Sequence, residues 1–212
     1  TTCDVSVSSM GTAAGAAAGA AAGGVVHGAE ATRATEAAFM AKLALKQRKE
    51  VKAHEAKRDA NLARIGKALR VDGGVGCQAH LVELAAACKQ SGYADRCGEI
   101  CYASWLDALA ARLEADCGDD MVRDEYAARF GARVVVLRVA DDVKTYNART
   151  YFSVDGALVV EARPDSMWSN VSSIGKELLE SCGAEPPNAE PALMAGGSGA
   201  AGGGADSTAM TV

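Results

Sequence analysis

Two runs of sequence decide the fold: RVVVLRV at residues 133–139 and YFSVDGALVV at residues 151–160. The first is dominated by valine, whose stiff branched side chain packs well on a pleated surface, so a strand is predicted over Arg133–Val139. The second run divides around Asp155-Gly156, a dipeptide that favours a tight type I′ hairpin turn. Strands are therefore predicted at Tyr151–Val154 and Ala157–Val160. Helical patterns flank them, over about Asp119–Phe130 and about Asn170–Cys182, the latter ended by Gly183. The order α-β-β-β-α predicts an α+β unit across residues 118–183, with a three-stranded, mainly antiparallel sheet and helices on one face.

Working outward toward the N-terminus, residues 72–117 hold five of the seven cysteines. Gly73, Gly74 and Gly76 punctuate the chain. Leu81, Leu84, Ala85 and Cys88, then Ile100, Leu106, Leu109 and Leu113, keep helical spacing on either side of Ser91-Gly92. That pattern predicts a helical hairpin, with one helix over Gln78–Gln90 and a second reaching about Asp116.

Residues 30–71 read as one long basic helix, rich in Ala, Lys, Arg, Glu and Leu and free of Gly and Pro until Gly66. About 40 helical residues span about 60 Å at 1.5 Å each. Between Lys52 and Asn61 there is no large apolar side chain, so the helix is expected to cross solvent or lie along a partner. Ten Lys/Arg within residues 42–70 face only Glu50, Glu55 and Asp59, a net of +7, and the rest of a chain of net charge −5 therefore carries −12. Such a block suits an anionic lipid, an RNA or an acidic protein face. Lys46, Arg48, Lys49, Lys52, Lys57 and Arg58 are its candidate docking residues.

The two ends have a different character. Residues 1–29 are rich in Ala and Gly, and nothing between Val5 and Ala29 is formally charged. Gly11, Gly15, Gly19 and Gly23 recur every fourth residue, which lines one helix face with small groups and lets another backbone approach. Residues 5–29 are long enough to reach across a bilayer but have few large apolar side chains, so membrane contact competes with a flexible extension. Nothing before these glycines looks like an intact signal or transit peptide, and a processed or trimmed start is expected. Residues 184–212, with Pro186-Pro187, Pro191 and a glycine-rich stretch, read as a flexible tail.

This distribution explains the composition. Of 212 residues, 49% are hydrophobic but only 5% aromatic. Alanine and glycine fill the ends and the long helix, while the bulky side chains gather in residues 77–182. The charged fraction of 23% and a mean hydropathy of +0.01 exclude both a highly charged disordered chain and a multi-span membrane protein.

The cysteines admit three readings. In a hairpin turning near Gly92, Cys88 and Cys97 lie about equally far from the turn on opposite helices and are a disulfide candidate. This arrangement, with the glycine zipper upstream, resembles the twin-cysteine helical hairpins (the coiled-coil-helix–coiled-coil-helix family) of the mitochondrial intermembrane space. The resemblance covers about Cys77–Cys117 plus the zipper, and it departs from the family at the outer bridge, because Cys77 lacks a partner near Ala108. In the second reading Cys77-x2-His80 and Cys97-x3-Cys101 supply three thiolates and an imidazole to zinc. In the third the cysteines are small buried apolar groups, as free cysteines commonly are.

No motif names a reaction. Asp72-Gly73 before Cys77 is an over-lengthened version of the start of ovarian-tumour-type cysteine proteases, and no histidine follows in the strand region to serve as its base. The glycines around Gly73 lack the Lys-Ser/Thr of a phosphate loop. Asp119-Asp120 and Asp141-Asp142 fit turn or cap positions. No cofactor and no catalytic residue is expected. The chain is expected to be a non-catalytic accessory or structural subunit of a large multi-subunit assembly, among whose other subunits it finds its partners. The setting expected is an organellar, energy-transducing membrane, mitochondrial rather than plastid, with the N-terminal extension as anchor. A soluble zinc-binding or redox protein using Cys77–Cys117, and an organellar ribosome or RNA-associated protein docking through residues 42–70, are the alternatives.

Overall fold

A computed structural model describes residues 36–182. The fold class is α+β, with a four-stranded sheet backed by helices on one face. The sheet differs from the three-stranded antiparallel arrangement expected. Its order is β1-β2-β4-β3, formed by β1 (Gly76–Ala79), β2 (Val134–Val139), β3 (Arg149–Phe152) and β4 (Leu158–Ala162). β1, β2 and β4 run parallel, and only β3 is antiparallel, to β4. β1 is the strand missing from the sequence reading: GCQA is short, lacks β-branched residues, and is a strand because Val134–Leu137 offers it a ladder.

The β3–β4 connection also differs. Ser153 and Ala157 face each other, leaving Val154-Asp155-Gly156 as a three-residue loop, and Gly156 alone has a positive φ, of 80°. A type I′ turn needs two such residues; one glycine in the left-handed region after a tight turn is the three-residue alternative. The loop packs closely, since a Cβ on Gly156 would lie 2.9 Å from the backbone N of Gly131.

The long basic helix is interrupted twice. Residues 36–42 are helical (α1), then Ala44 turns extended (ψ 152°), and α2 (Leu45–Ala53) begins. His54 breaks the helix again, with φ −107° and ψ 0°, before α3 (Glu55–Ala68). Nor does this segment leave the domain. Leu43, Val51, Leu62, Ile65 and Leu69 are all buried in the common core, and α3 lies along α5. The sparse apolar residues of the segment thus suffice to hold it, although Leu45 stays exposed.

The hairpin begins with α4 (Leu81–Gln90), preceded by β1 and not by the helical turn expected at Gln78. After a turn through Gly92 (φ 83°), residues 97–116 are continuously helical, containing a π-helical segment, Glu99–Trp105, that runs into α5 (Leu106–Asp116). The wider π spiral leaves the Tyr102 carbonyl to accept from Asn61 Nδ2 at 3.0 Å. Trp105, buried beneath, donates its indole N–H to the Met167 carbonyl at 3.0 Å. Next comes α6 (Asp120–Arg129), N-capped by Asp119, whose Oδ1 accepts from the backbone N of Met121 and Val122. The helix expected over Asn170–Cys182 is reduced to a 3-10 turn (Val171–Ser173) and α7 (Leu178–Ser181), separated at Gly175, which has φ 79°.

Glu50 on α2 joins these layers. Its two carboxylate oxygens accept from the backbone N–H of Gly98 (2.8 Å) and Glu99 (2.9 Å), the open N-terminus of the 97–116 helix. A helix N-terminus presents unpaired N–H groups and partial positive charge, so a carboxylate there is held by both. Gly98 permits the approach, because a Cβ would fall 2.8 Å from Val51 Cα. Replacing Glu50 by Ala should lower unfolding free energy by about 1–2 kcal/mol, the usual scale for a lost cap. Gly98→Ala should also destabilise the fold, by separating α2 from that helix. Urea unfolding of both variants checks this, and an unchanged midpoint in both would remove Glu50 from the account of the fold.

Candidate functional site

The described cysteines, Cys77, Cys88, Cys97, Cys101, Cys117 and Cys182, are all buried free thiols. The turn does bring Cys88 and Cys97 close enough to influence each other's ionisation, with Cys101 one turn beyond Cys97, and all three are free thiols. Cys88 also donates to the Met167 sulfur at 3.8 Å. The zinc set is not assembled. Alternation along β1 sends Cys77 into the helix-covered core and His80 toward the opposite face. Among the described residues no group of three or more His, Cys, Asp or Glu is placed to hold a metal ion.

The surroundings keep these sulfurs protonated. Burial pushes the Cys77 thiol far up, while Cys88 and Cys97 are raised first by hydrogen bonds with neighbouring thiols. Burial raises Cys117 to about 11. Since the thiolate is the nucleophile and the metal ligand, these groups are held in their inert form.

The six candidate docking cations divide by environment. Arg58 turns inward, paired with Glu36 at 2.9 Å and stacked over Tyr102, whose hydroxyl also donates to Glu36. Lys46 pairs with Asp95, and Arg48 is half-buried. Lys49, Lys52 and Lys57 are exposed; Lys57 lies near Glu99, while Lys49 and Lys52 have no ion pair among the described residues. Gly11, Gly15, Gly19, Gly23 and the membrane-contact segment 5–29 lie outside the described residues.

The site that sequence reasoning missed is the second face of the sheet. Register places two rows of side chains across it. One is Gln78, Val136, Val159 and Tyr151; the next is His80, Arg138, Glu161 and Arg149. Glu161 is fully buried and its oxygens are occupied: Oε1 accepts from Arg138 Nε (2.5 Å) and Tyr151 OH (2.8 Å), and Oε2 from Arg149 Nε (3.0 Å). Arg149 also reaches exposed Asp142 at 3.2 Å. Beside this row a groove of about 320 Å³ opens over Val136, Ala157 and Val159. The helical residue Phe39 stacks on the His80 ring at its edge, 5.7 Å between centroids. Burial, outweighing nearby Glu83, holds His80 below its ordinary range and so neutral at pH 7. The strand that carries Val136 and Arg138 was legible in the β-branched run Val134–Val139, but only pairing with the unforeseen β1 puts Gln78 and His80 beside them.

Comparison with family models, curated proteins and solved structures finds no match.

The thiols give a direct check. In the native protein at pH 8, Cys77, Cys88, Cys97 and Cys101 should resist Ellman's reagent until the chain unfolds. The pH dependence has a definite sign. A thiol whose folded pKa lies above its unfolded value stabilises below the unfolded value and loses that contribution as pH rises through the folded one. For Cys117 the window runs from about 9 to about 11, so melting temperature should fall between those pH values. Rapid labelling at pH 8, or a melting temperature flat across that window, would overturn the buried-thiol account.

Proposed function

We propose that the chain is a non-catalytic accessory or structural subunit of a large multi-subunit assembly at an organellar, energy-transducing membrane, in mitochondria, with its N-terminal extension as anchor. The observation that carries the docking part of this reading is the way α2 and α3 are held. Their apolar side chains and Glu50 lock one side onto the core, while Lys49, Lys52 and Lys57 stand outward. Cations on a backbone already fixed by packing lose little conformational freedom when a partner arrives, which favours recognition of an anionic surface. An acidic face of a neighbouring subunit is the partner proposed for this row.

The membrane setting rests on the glycine-spaced extension and not on the folded part, since no helix among the described residues is long and apolar enough to cross a membrane. The zinc or redox alternative gains no support from thiols that are buried and held protonated. RNA docking through residues 42–70 is offered no exposed aromatic platform by the described part of this row, so backbone charge alone would have to hold it.

The test is recovery of partners by the full-length tagged chain under mild detergent. Lys49→Glu combined with Lys52→Glu should reduce co-purification of partner subunits at least about tenfold, with melting temperature little changed because exposed substitutions away from special features cost about 0.5 kcal/mol or less. Undiminished recovery would reject this docking surface. Partners released by nuclease, or recovery replaced by flotation with anionic vesicles, would replace the protein partner with RNA or lipid.

A further inference from the structure

The groove on the second face of the sheet combines an apolar floor with polar side chains that keep unused hydrogen-bonding groups among the described residues. Val136, Ala157 and Val159 form the floor. Among the described residues, the Gln78 amide and both His80 ring nitrogens make no hydrogen bond, and Arg138 commits Nε and Nη2 to Glu161 and Tyr151, leaving Nη1 without an acceptor. All three side chains line the same groove. They come from parallel neighbours, with His80 just past the end of β1 and Arg138 near the end of β2. The carboxyl ends of parallel strands are where ligands settle in open sheets, because the chain leaves the sheet there and opens a crevice.

Charge selects the kind of ligand. Two guanidinium groups, Arg138 and Arg149, flank one buried carboxylate, Glu161, whose oxygens already accept four contacts or more. Asp142 answers Arg149 from the outer side. Facing the groove, then, this end offers donors: the free Arg138 N–H groups, one imidazole N–H of His80 and the Gln78 amide. Among the described residues, the sole carboxylate lining the groove is Asp155 at the opposite end, which accepts a hydrogen bond from Ser153 Oγ at 2.5 Å. A guanidinium edge beside neutral donors matches a planar carboxylate, and the valine floor matches a flat apolar body. A volume of about 320 Å³ admits one ring with its substituent.

We propose that this groove is a binding site for a small aromatic or branched organic carboxylate, its carboxylate on Arg138, His80 and Gln78 and its apolar body on Val136 and Val159. Arg138 is the specificity-determining residue, since it supplies the charge. Glu161, Tyr151 and Arg149 are positioning residues that fix the plane of the Arg138 guanidinium. The site is separate from the cationic face of α2 and α3, so its failure and the failure of the docking surface are independent results.

Titration of the full-length protein with benzoate, followed by backbone amide NMR, tests this. Saturable shifts are expected at residues 78–80, 136–138 and 157–159, with a dissociation constant at or below about 1 mM. Arg138→Gln, which keeps hydrogen bonding toward Glu161 but removes the charge, should weaken binding at least about tenfold. Val136→Trp should abolish it by filling the groove while leaving the folded spectrum elsewhere unchanged. It remains the deciding variant should Arg138→Gln lose its fold. Benzamide binding as well as benzoate, preferential binding of benzylamine, shifts spread over the α2–α3 surface, or no saturation by about 10 mM would each overturn the proposal.

Discussion

The carboxylate of Glu50 on the backbone N–H groups of Gly98 and Glu99 is the contact on which the layered structure depends. Without an acceptor the first N–H groups of the 97–116 helix would face a packed interior, where unpaired donors are costly. Glu50 supplies that acceptor from a helix about fifty residues earlier in the chain, and Gly98 gives it room by having no side chain. The same contact positions Val51 against the hairpin and aligns α3 for Leu62, Ile65 and Leu69 to enter the core. A segment that reads as a solvent-crossing extension is thereby made part of the domain.

The sheet distributes its polar groups by a similar logic. One face is buried by helices and carries Cys77, Ala79, Val135, Leu137, Leu158 and Val160. The other carries a row of four polar side chains around Glu161. A buried carboxylate is tolerable only where its lone pairs are filled, and two arginines with a tyrosine hydroxyl fill them. Removing one partner there would strand a charge, so the row is an all-or-none arrangement. The consequence is rigidity: Arg138 is held in place by groups it did not need to recruit, and its remaining donors point at a groove.

The cysteines show how far local pattern carries. Spacing about Gly92 placed Cys88 and Cys97 opposite one another, and the structure does bring them near each other, as free thiols and not as a bridge. Spacing alone also offered Cys77 and His80 as one ligand pair. That offer fails because residues 76–79 form a strand, and residues three apart on a strand face opposite ways. Nothing in GCQA announces a strand; its conformation is imposed by the β2 edge.

The sequence by itself determined the α+β class, one of the four strands within a residue of its ends and two more within two residues, the turn at Gly92 and the concentration of bulky side chains after residue 77, because these follow from side-chain periodicity and from glycine's freedom at φ above zero. Only the tertiary structure decided the parallel pairing of β1 with β2, the burial of the basic helices and the row that joins His80 to Arg138, Glu161 and Arg149. Each of these is a contact between residues tens of positions apart. Such contacts are set by how a carboxylate finds an unpaired N–H, or a short strand an open edge, once the chain is compact, and no window of neighbouring residues contains that information.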